Sequence, residues 1–483
     1  MGQVSATVPE LVSRERTMVL AVCCLSLFLV GLDTTVVTIA LPSIGRDFGA
    51  GVEALQWTVG AYTLVMAALL MLAGSLADRL GRRRVFVTGL TIFLLGSLLC
   101  GAAPSVGLLV AFRVVQAVGG AMVNPVAVAI ITTAFTDPRE RAQAVGLRGA
   151  VFGVSMALGP IVGGVLSSTL GWRAIFWANV PLGLACVLLA VHLIPETRAS
   201  APRRLDPVGQ LLVVVLLTAA TYVVIQGPSR GWSAPVIVTA LAAAAAALLG
   251  LLGYEPRRMQ PLIDLRFFRS IPFASAIATS IAAFAAFGGF LFLNTLYLQD
   301  GRGLSPVQAG LAVVPLAVMV ALISPLSGRL LGRRGPRVPL VIAGVCGTTA
   351  CVMLTAVSSD TPMAWLLAAY VVFGVGVGFV NAPITNTAVS GMPRDQAGVA
   401  SALATTARNV GQTLGVALAG AVVASRLGPV GRGDVASATH SSWWLLAACG
   451  AVVLLLGAAA TTRRAEASAH RVAAQLNPEA LSA

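Results

Sequence analysis

Lysine is absent from this chain of 483 residues, so all 32 basic side chains are arginine. A Walker A phosphate loop needs its lysine, as does Schiff-base chemistry, and both are therefore excluded. Charge of either sign is scarce: charged residues make up 10% of the chain, against roughly a quarter in soluble domains. Histidine occurs only as His192, His440 and His470, in no motif. His440 lies beside an apolar run and could titrate, although an ordinary surface histidine is the simpler reading. The cysteines, Cys23, Cys24, Cys100, Cys186, Cys346, Cys351 and Cys449, fall in apolar runs without metal-site or redox spacing. They read as small packing residues. With no nucleophile–base set and no metal cluster, neither an enzyme nor a cofactor is expected.

What is abundant is apolar. Hydrophobic residues reach 57% and the mean hydropathy is +0.89, which excludes a water-soluble fold. The net charge of +14 would suit nucleic acid only if a basic, polar domain existed to bind it. None does, so the charge reads as a topology signal and as attraction to anionic lipid. Dominance of arginine, alanine and valine hints at a GC-rich bacterial genome.

A membrane-crossing helix needs about 20 apolar residues. On that rule fourteen spans are expected, over 18–41, 55–77, 85–103, 106–134, 143–167, 173–194, 208–227, 234–254, 271–298, 306–331, 338–357, 363–391, 398–425 and 441–461. Every second connection is basic, carrying Arg79 to Arg84, Arg139 and Arg141, Arg198 to Arg204, Arg257 to Arg269, Arg329 to Arg337, or Arg394. The others hold scattered residues such as Arg46, Arg230 and Arg302. The basic connections and both termini are expected on the cytoplasmic side. The start of the chain, with Glu10, Arg14, Glu15 and Arg16, leads into a run of full membrane length and is not expected to be a cleavable signal peptide.

The densest basic stretch, GSLADRLGRRRV at 74–85, sets one acid, Asp78, among Arg79, Arg82, Arg83 and Arg84. Gly74 offers close backbone approach and Gly81 the chain reversal of a short helix–helix connection. SGRLLGRRGPRV at 327–338 echoes it. Aligning Gly332 with Gly81 sets Arg329 opposite Asp78, so the second copy has lost its acid. Eight spans separate the two loops, where a plain six-plus-six repeat leaves six. Two extra spans therefore lie between the halves, and 208–227 with 234–254 are the natural pair. The expected organisation is a cytoplasmic tail (1–17), an N-terminal six-helix bundle (18–194), a linker (195–207), two additional transmembrane helices (208–254), a second linker (255–270), a C-terminal six-helix bundle (271–461) and a cytoplasmic tail (462–483). The last reads as a short tail or a surface helix.

Few polar residues lie inside the spans. Asp33, in LDTTVVTIALP (32–42), would cost roughly 2.5–3.5 kcal/mol at a helix centre, so some interaction must offset it. It either faces a cavity, carrying a proton or meeting a cationic solute, or pairs structurally with a polar neighbour. Arg113, in RVVQAVGGA (113–121), cannot practically lose its proton and so can only poise neighbours. The alternative is an arginine snorkelling outward. Gln116 lies one turn from it and Asn124 two turns further, along one face. In GVSMALGPIVGG (153–164), Gly153, Gly159, Gly163 and Gly164 allow close helix approach while Pro160 removes a backbone donor. WRAIFWANVPLG (172–183) places tryptophans at the outer interface, with Asn179 and Pro181 breaking the helical ladder. Asp206, before Pro207, reads as a helix N-cap. The small-residue run 398–420, carrying Arg408, Asn409 and Gln412, reads as a groove for neighbouring helices.

Taken in order, these stretches resemble the major facilitator superfamily. The 74–85 loop resembles its G-x-L-A-D-R-x-G-R-R loop between the second and third helices. The first span is similar to L-D-x-T-V-V-x-x-A-L-P of the fourteen-span drug:proton antiporter branch. Residues 113–121 resemble R-x-x-Q-G-x-G-A, associated with proton coupling, with Ala117 in place of a glycine. Residues 153–164 resemble the antiporter motif G-x(5)-G-P-x-x-G-G, and 172–183 the sixth-span motif W-R-x-I-F-x-x-N-x-P-x-G. The 398–420 run is similar to the branch's thirteenth span.

The resemblance implies an all-α polytopic membrane protein of two six-helix bundles plus two extra central helices, in a bacterial cell membrane. It implies a proton-coupled exporter of drugs or antibiotics working by alternating access. Asp33 would take the proton, poised by Arg113, with Gln116, Asn124 and Asn179 around the cavity. Gly74, Asp78, Arg79, Gly81, Arg82 and Arg83 would latch the cytoplasmic gate, and the kinked 153–164 helix would serve as a pivot or cytoplasmic seal. The expected partners are a small-molecule drug or antibiotic, protons and the lipid bilayer, for a monomer that binds no nucleic acid. Apart from Asp33 the spans offer little negative charge, so lipophilic monocations and neutral or zwitterionic antibiotics fit better than dications. Rival readings are a dedicated exporter of a metabolite, siderophore or lipid precursor, and a transporter-like receptor or scaffold, which would need a sizeable soluble segment.

Overall fold

The computed structural model describes residues 13–135, 137–198, 205–258, 261–390, 392, 396–427 and 435–476. Arg203, Arg204 and Arg394 of the basic set, and the distal parts of both tails, lie outside the described residues. The chain is almost wholly helical: α1 (Ser13–Phe48), α2 (Val52–Leu80), α3 (Arg82–Gly101), α4 (Val106–Ala134), α5 (Pro138–Thr169), α6 (Arg173–Trp177), α7 (Asn179–Leu193), α8 (Pro207–Arg230), α9 (Pro235–Tyr254), α10 (Ile271–Leu296), α11 (Pro306–Ala312), α12 (Val314–Arg334), α13 (Arg337–Met353), α14 (Met363–Val389), α15 (Ala397–Leu427), α16 (Val435–Ala459) and α17 (Arg463–Leu476). Without water to hydrogen-bond a bare backbone, helices are what apolar runs of this length can form in a membrane.

Among the described residues, 12 helical stretches are long and apolar enough to cross a bilayer, so this is a multi-pass membrane protein. That is two fewer than the fourteen runs counted from the sequence. The other two are nonetheless helices. α13 has 17 residues, short of the requirement of about 20. α15 is 31 residues long, but its serine, threonine, asparagine, glutamine and arginine side chains dilute its hydropathy. Helix ends also differ from the apolar runs. α1 continues through polar residues to Phe48, and two expected spans are each broken, at Ala178 between α6 and α7 and at Val313 between α11 and α12.

α1 packs along α5, α4 and α7, while α3 and α2 pack on α4. α10 packs on α15, α16 and α14, and α13 on α14 and α16. These two sets meet through α2 on α15 and through α5 on α11 and α12. α8 and α9 pair with each other, and α8 also lies against α2 and α15. α17 packs on α10, where Ser468 Oγ accepts from the Ile271 amide at 2.9 Å. Its inward residues, Ala465, Ala469 and Val472, are buried, so its apolar face is covered by protein.

Two short reversals sit at one end of the assembly, hereafter the basic end. Gly81 joins α2 to α3 with φ +112°, a conformation that side chains resist. In the second copy the turn is not at Gly332, which lies inside α12, but at Gly335, with φ +70°. The two loops therefore superpose three residues away from the alignment made on sequence, because α12 runs on through the Gly-Arg-Arg that α3 begins with. Gly332, and not Arg329, becomes the counterpart of Asp78; the second copy lacks the acid in either register.

Candidate functional site

Asp33 lies inside the first set of helices, and everything that holds it comes from a different element. Arg113 and Gln116, one turn apart on α4, reach it from one side. Asn179 reaches it from the other as the first residue of α7, just after the interruption at Ala178. Arg113 Nη1 donates to Asp33 Oδ2 at 2.6 Å, and both Gln116 Nε2 and Asn179 Nδ2 donate to Oδ1 at 2.9 Å. Ser97 Oγ on α3 accepts from the same two amides, at 2.6 and 3.1 Å. Arg113 is held in turn: Nη1 reaches Gln116 Oε1 at 2.7 Å, Nε donates to the Thr58 carbonyl at 3.2 Å, and Cζ sits 4.1 Å from the Tyr62 ring centroid.

The side chains of Arg113 and Asp33 are 1% and 0% exposed. A charge at that depth is tolerated only if paired and hydrogen-bonded, and here both carboxylate oxygens are fully engaged. The pair, with its two amides, ties α1, α4 and α7 together. Ser97, Thr58 and Tyr62 were not singled out from the sequence. Single hydroxyls and one carbonyl in apolar helices carry no spacing signal, although Ser97 follows a glycine, Gly96, that lets α3 touch Gln116 closely.

Asn124, although on the same helix, does not join this group. It is two turns nearer the basic end, and its Oδ1 accepts from Arg148 Nη2 of α5 at 2.5 Å. A common helix face does not make a common site when the residues are eight positions, or about 12 Å, apart.

At the basic end Asp78 Oδ1 meets Arg82 Nη2 at 3.3 Å, one turn on. Arg82 also binds the Thr133 hydroxyl and, at 3.3 Å, the Ala129 carbonyl of α4. The residue that organises this loop is Glu196, after α7. Its two oxygens accept from the Arg83 and Arg84 amides at 3.1 and 3.2 Å, capping the first turn of α3, while Arg82 N donates to the Thr197 carbonyl at 2.9 Å. A carboxylate on helix N–H groups is a favourable anion site. Arg79 is largely exposed. Gly74 has open space around it, so close approach is not its role here.

The glycines of α5 look two ways. A Cβ at Gly163 would lie 2.5 Å from the Val36 carbonyl of α1, and one at Gly164 would lie 2.5 Å from the Pro306 carbonyl of α11. Conversely, a Cβ at Gly310 would lie 2.5 Å from the Pro160 carbonyl. Gly159 abuts Thr35, whose hydroxyl donates to the Met156 carbonyl at 2.9 Å. Gly153 has no such neighbour and lines a cleft. These contacts lie away from the basic end, so the α5–α11 seam closes the opposite end rather than the one bearing Asp78. Trp172, expected at an interface, is buried there: it donates to Asp47 Oδ2 at 3.0 Å and packs edge-on to Phe48 and Phe176. Asp206 Oδ1 accepts from Gly209 N at 3.0 Å and caps α8.

Between the two sets lies a cleft walled by Gly153, Met156 and Pro160 of α5, Phe284, Phe287 and Leu291 of α10, and Leu316 and Val320 of α12. Asn381 is its one amide. Polar links also cross the same divide. Gln56 Nε2 donates to the Ala417 carbonyl at 2.6 Å, Gln299 Nε2 to the Ile39 carbonyl at 2.7 Å, and Thr413 Oγ1 to Thr63 Oγ1 at 2.7 Å.

This arrangement of helices has close counterparts among known proteins. Residues 23–416 match the profile of the Major Facilitator Superfamily. The chain belongs to that superfamily. It is 38% identical over 415 residues to the multidrug resistance protein Stp of Mycobacterium tuberculosis, covering 86% of this chain and 77% of Stp. It is 39% identical over 396 residues to the puromycin resistance protein pur8 of Streptomyces alboniger, covering 81% and 78%. With the tetracenomycin C resistance and export protein of Streptomyces glaucescens the identity is 35% over 403 residues, covering 83% and 75%. The crystal structure of a D-xylose–proton symporter superposes with a TM-score of 0.63 at 14% identity, covering 91% of this chain and 97% of that one, a likeness of fold alone.

Proposed function

We propose that this member of the superfamily is a proton-coupled exporter of drugs or antibiotics that works by alternating access. The observation that carries the reading is the buried Asp33–Arg113 pair, cross-linked through Gln116 and Asn179, at 2.6 Å. The resistance and export functions in the names of its relatives support the substrate class. In this reading Asp33 takes a proton from one side and returns it to the other, and the change in charge alters how tightly α1, α4 and α7 are held. The α5–α11 seam acts as the pivot of a rocking motion, and the Asp78 loop, clasped by Glu196, latches the gate at the basic end.

The topology proposed is fourteen spans, formed by the 12 apolar helices together with α13 and α15. Two six-helix bundles, 18–194 and 271–461, flank the α8–α9 pair. The basic end, with both termini, faces the cytoplasm, and the chain acts as a monomer. The closed seam then lies outside and the cleft is reached from within. The test is direct. Purified protein in liposomes should release protons into the medium when an exported drug is added, and Asp33→Asn should abolish the signal. Full proton-coupled efflux by Asp33→Asn would sink the assignment.

A further inference from the structure

Asp206 and Glu255 stand at the two ends of the α8–α9 pair, which the hairpin brings side by side at the basic end. Asp206 caps α8, and Glu255 follows α9 at the start of the turn that leads to α10. Both are buried, at 6% and 1% exposed. Gly209, in the first turn of α8, has no side chain to part them. A Cβ there would stand 2.5 Å from Glu255 Oε1 and 3.1 Å from Asp206 Oδ2. Two carboxyl oxygens therefore converge on one point, and neither has a hydrogen-bond partner among the described residues.

The other two oxygens are engaged. Asp206 Oδ1 accepts from the Gly209 amide at 3.0 Å and from the Tyr254 hydroxyl at 3.1 Å, and Glu255 Oε2 from the Ile263 amide at 3.4 Å. Among the described residues, the charged groups that face Glu255 are Asp206 and Arg258. Arg258 is half exposed, with its Nε 4.0 Å from Asp206 Oδ2. Arg257 turns away, onto the Gly253 carbonyl. One arginine thus answers two buried carboxyls. Like charges sharing a site disfavour ionisation of one of them, and burial adds to the effect. A proton between the oxygens removes the conflict and needs no more room than a hydrogen bond, whereas a metal ion needs a cavity. Asp206, with two donors and Arg258 beside it, is the better anion, so the proton belongs on Glu255.

We propose that Glu255 keeps a proton at neutral pH and donates it from Oε1 to Asp206 Oδ2, making a second proton site separate from the Asp33 pair. The proposal does not rest on the exporter reading. The shared proton clasps the turn leading into α10, a helix of the second set, to the start of α8. The residue after Gly209, Gln210, donates to the Ala68 carbonyl of α2, in the first set, at 2.5 Å. The clasp therefore joins the two sets at the basic end. Losing the proton sets two negative charges against each other and releases the turn.

The test uses the purified full chain in phosphatidylcholine liposomes. Infrared spectra at neutral pH should show a buried, protonated carboxyl band. Glu255→Gln should remove it, and so should Asp206→Asn, because Glu255 then loses the charge that keeps it neutral and ionises. Thermal unfolding gives an independent readout. The unfolded chain gives up this proton near about pH 4.3, so the clasp is at full strength below that value and fades as the pH rises to the folded pair's own pKa. Wild-type Tm should fall as the pH climbs from about 5 and then level off. Glu255→Gln should lose at least half of that fall, and Asp33→Asn should keep it. A carboxyl band unchanged in both variants, or a fall in Tm that survives Glu255→Gln and disappears in Asp33→Asn, would overturn the proposal. A wild-type Tm raised by sodium over choline, with no such rise in Glu255→Gln, would assign the space to a metal cation and overturn the shared proton.

Discussion

Asp33 receives three donors from two other helices, and this fixes what its removal does. Asparagine would turn one acceptor oxygen into an N–H₂ aimed at donors and leave Arg113 as a buried, unpaired charge, a loss of about 3–5 kcal/mol. Asp33→Asn should therefore lower the Tm of the purified protein, and adding Arg113→Gln should recover most of that loss, because the stranded charge goes with its partner. A double variant that melts as low as the two single losses combined would argue against a coupled pair. Glu196 makes a smaller, local contribution. Its replacement by alanine frees the Arg83 and Arg84 amides, which should cost about 1–2 kcal/mol, the usual value of a lost helix cap. Glu196→Gln, which keeps one acceptor oxygen, should cost less, and thermal unfolding of the two variants ranks them.

At the scale of elements, α5 is the helix most constrained by its neighbours. Two carbonyls 2.5 Å from where Cβ atoms would stand, at Gly163 and Gly164, leave no room for a side chain. Gly164→Val should force α11 away and abolish drug resistance in cells stripped of their other pumps. Gly107→Ala, on the open first turn of α4, should leave resistance unchanged. α15 is built on the same principle. Its Gly411 and Gly415 lie against the Ile281 and Ala285 carbonyls of α10, and Gly420 makes space for Gln56 of α2. Small residues let one helix serve two neighbours, at the expense of the hydropathy that would have marked it as a span.

For the whole molecule, two polar links between the two sets, Gln56 to Ala417 and Gln299 to Ile39, lie toward the end opposite the basic one. A machine that alternates must break them in each cycle. A reducible cross-linker joining cysteines placed at Ile39 and Gln299, in a background freed of the partly exposed thiols of Cys346 and Cys449, should stop efflux, and reduction should restore it. Undiminished efflux in the cross-linked protein would show that this end need not open.

The membrane class, the helix positions and the family motifs were legible because each depends on local chemistry: apolar length, arginine density, and glycine or proline at fixed spacing. Asp33, Arg113 and Gln116 also stood out, since a charge or amide within an apolar run is conspicuous by itself. Other features depended on contacts between distant segments. Glu196 caps a helix that begins more than a hundred residues earlier, and Ser97 is one hydroxyl among many. Asn124 shares a face with Gln116 yet bonds to Arg148, because eight residues of helix separate the two amides. The turn of the second basic loop fell at Gly335 because backbone conformation, and not residue identity alone, selects the glycine that reverses the chain. Composition determined that this chain crosses membranes and which charges had to be hidden there. Only the folded packing decided which partner each buried charge received, because in a low-dielectric interior that choice is set by distances of a few ångströms between helices far apart in sequence.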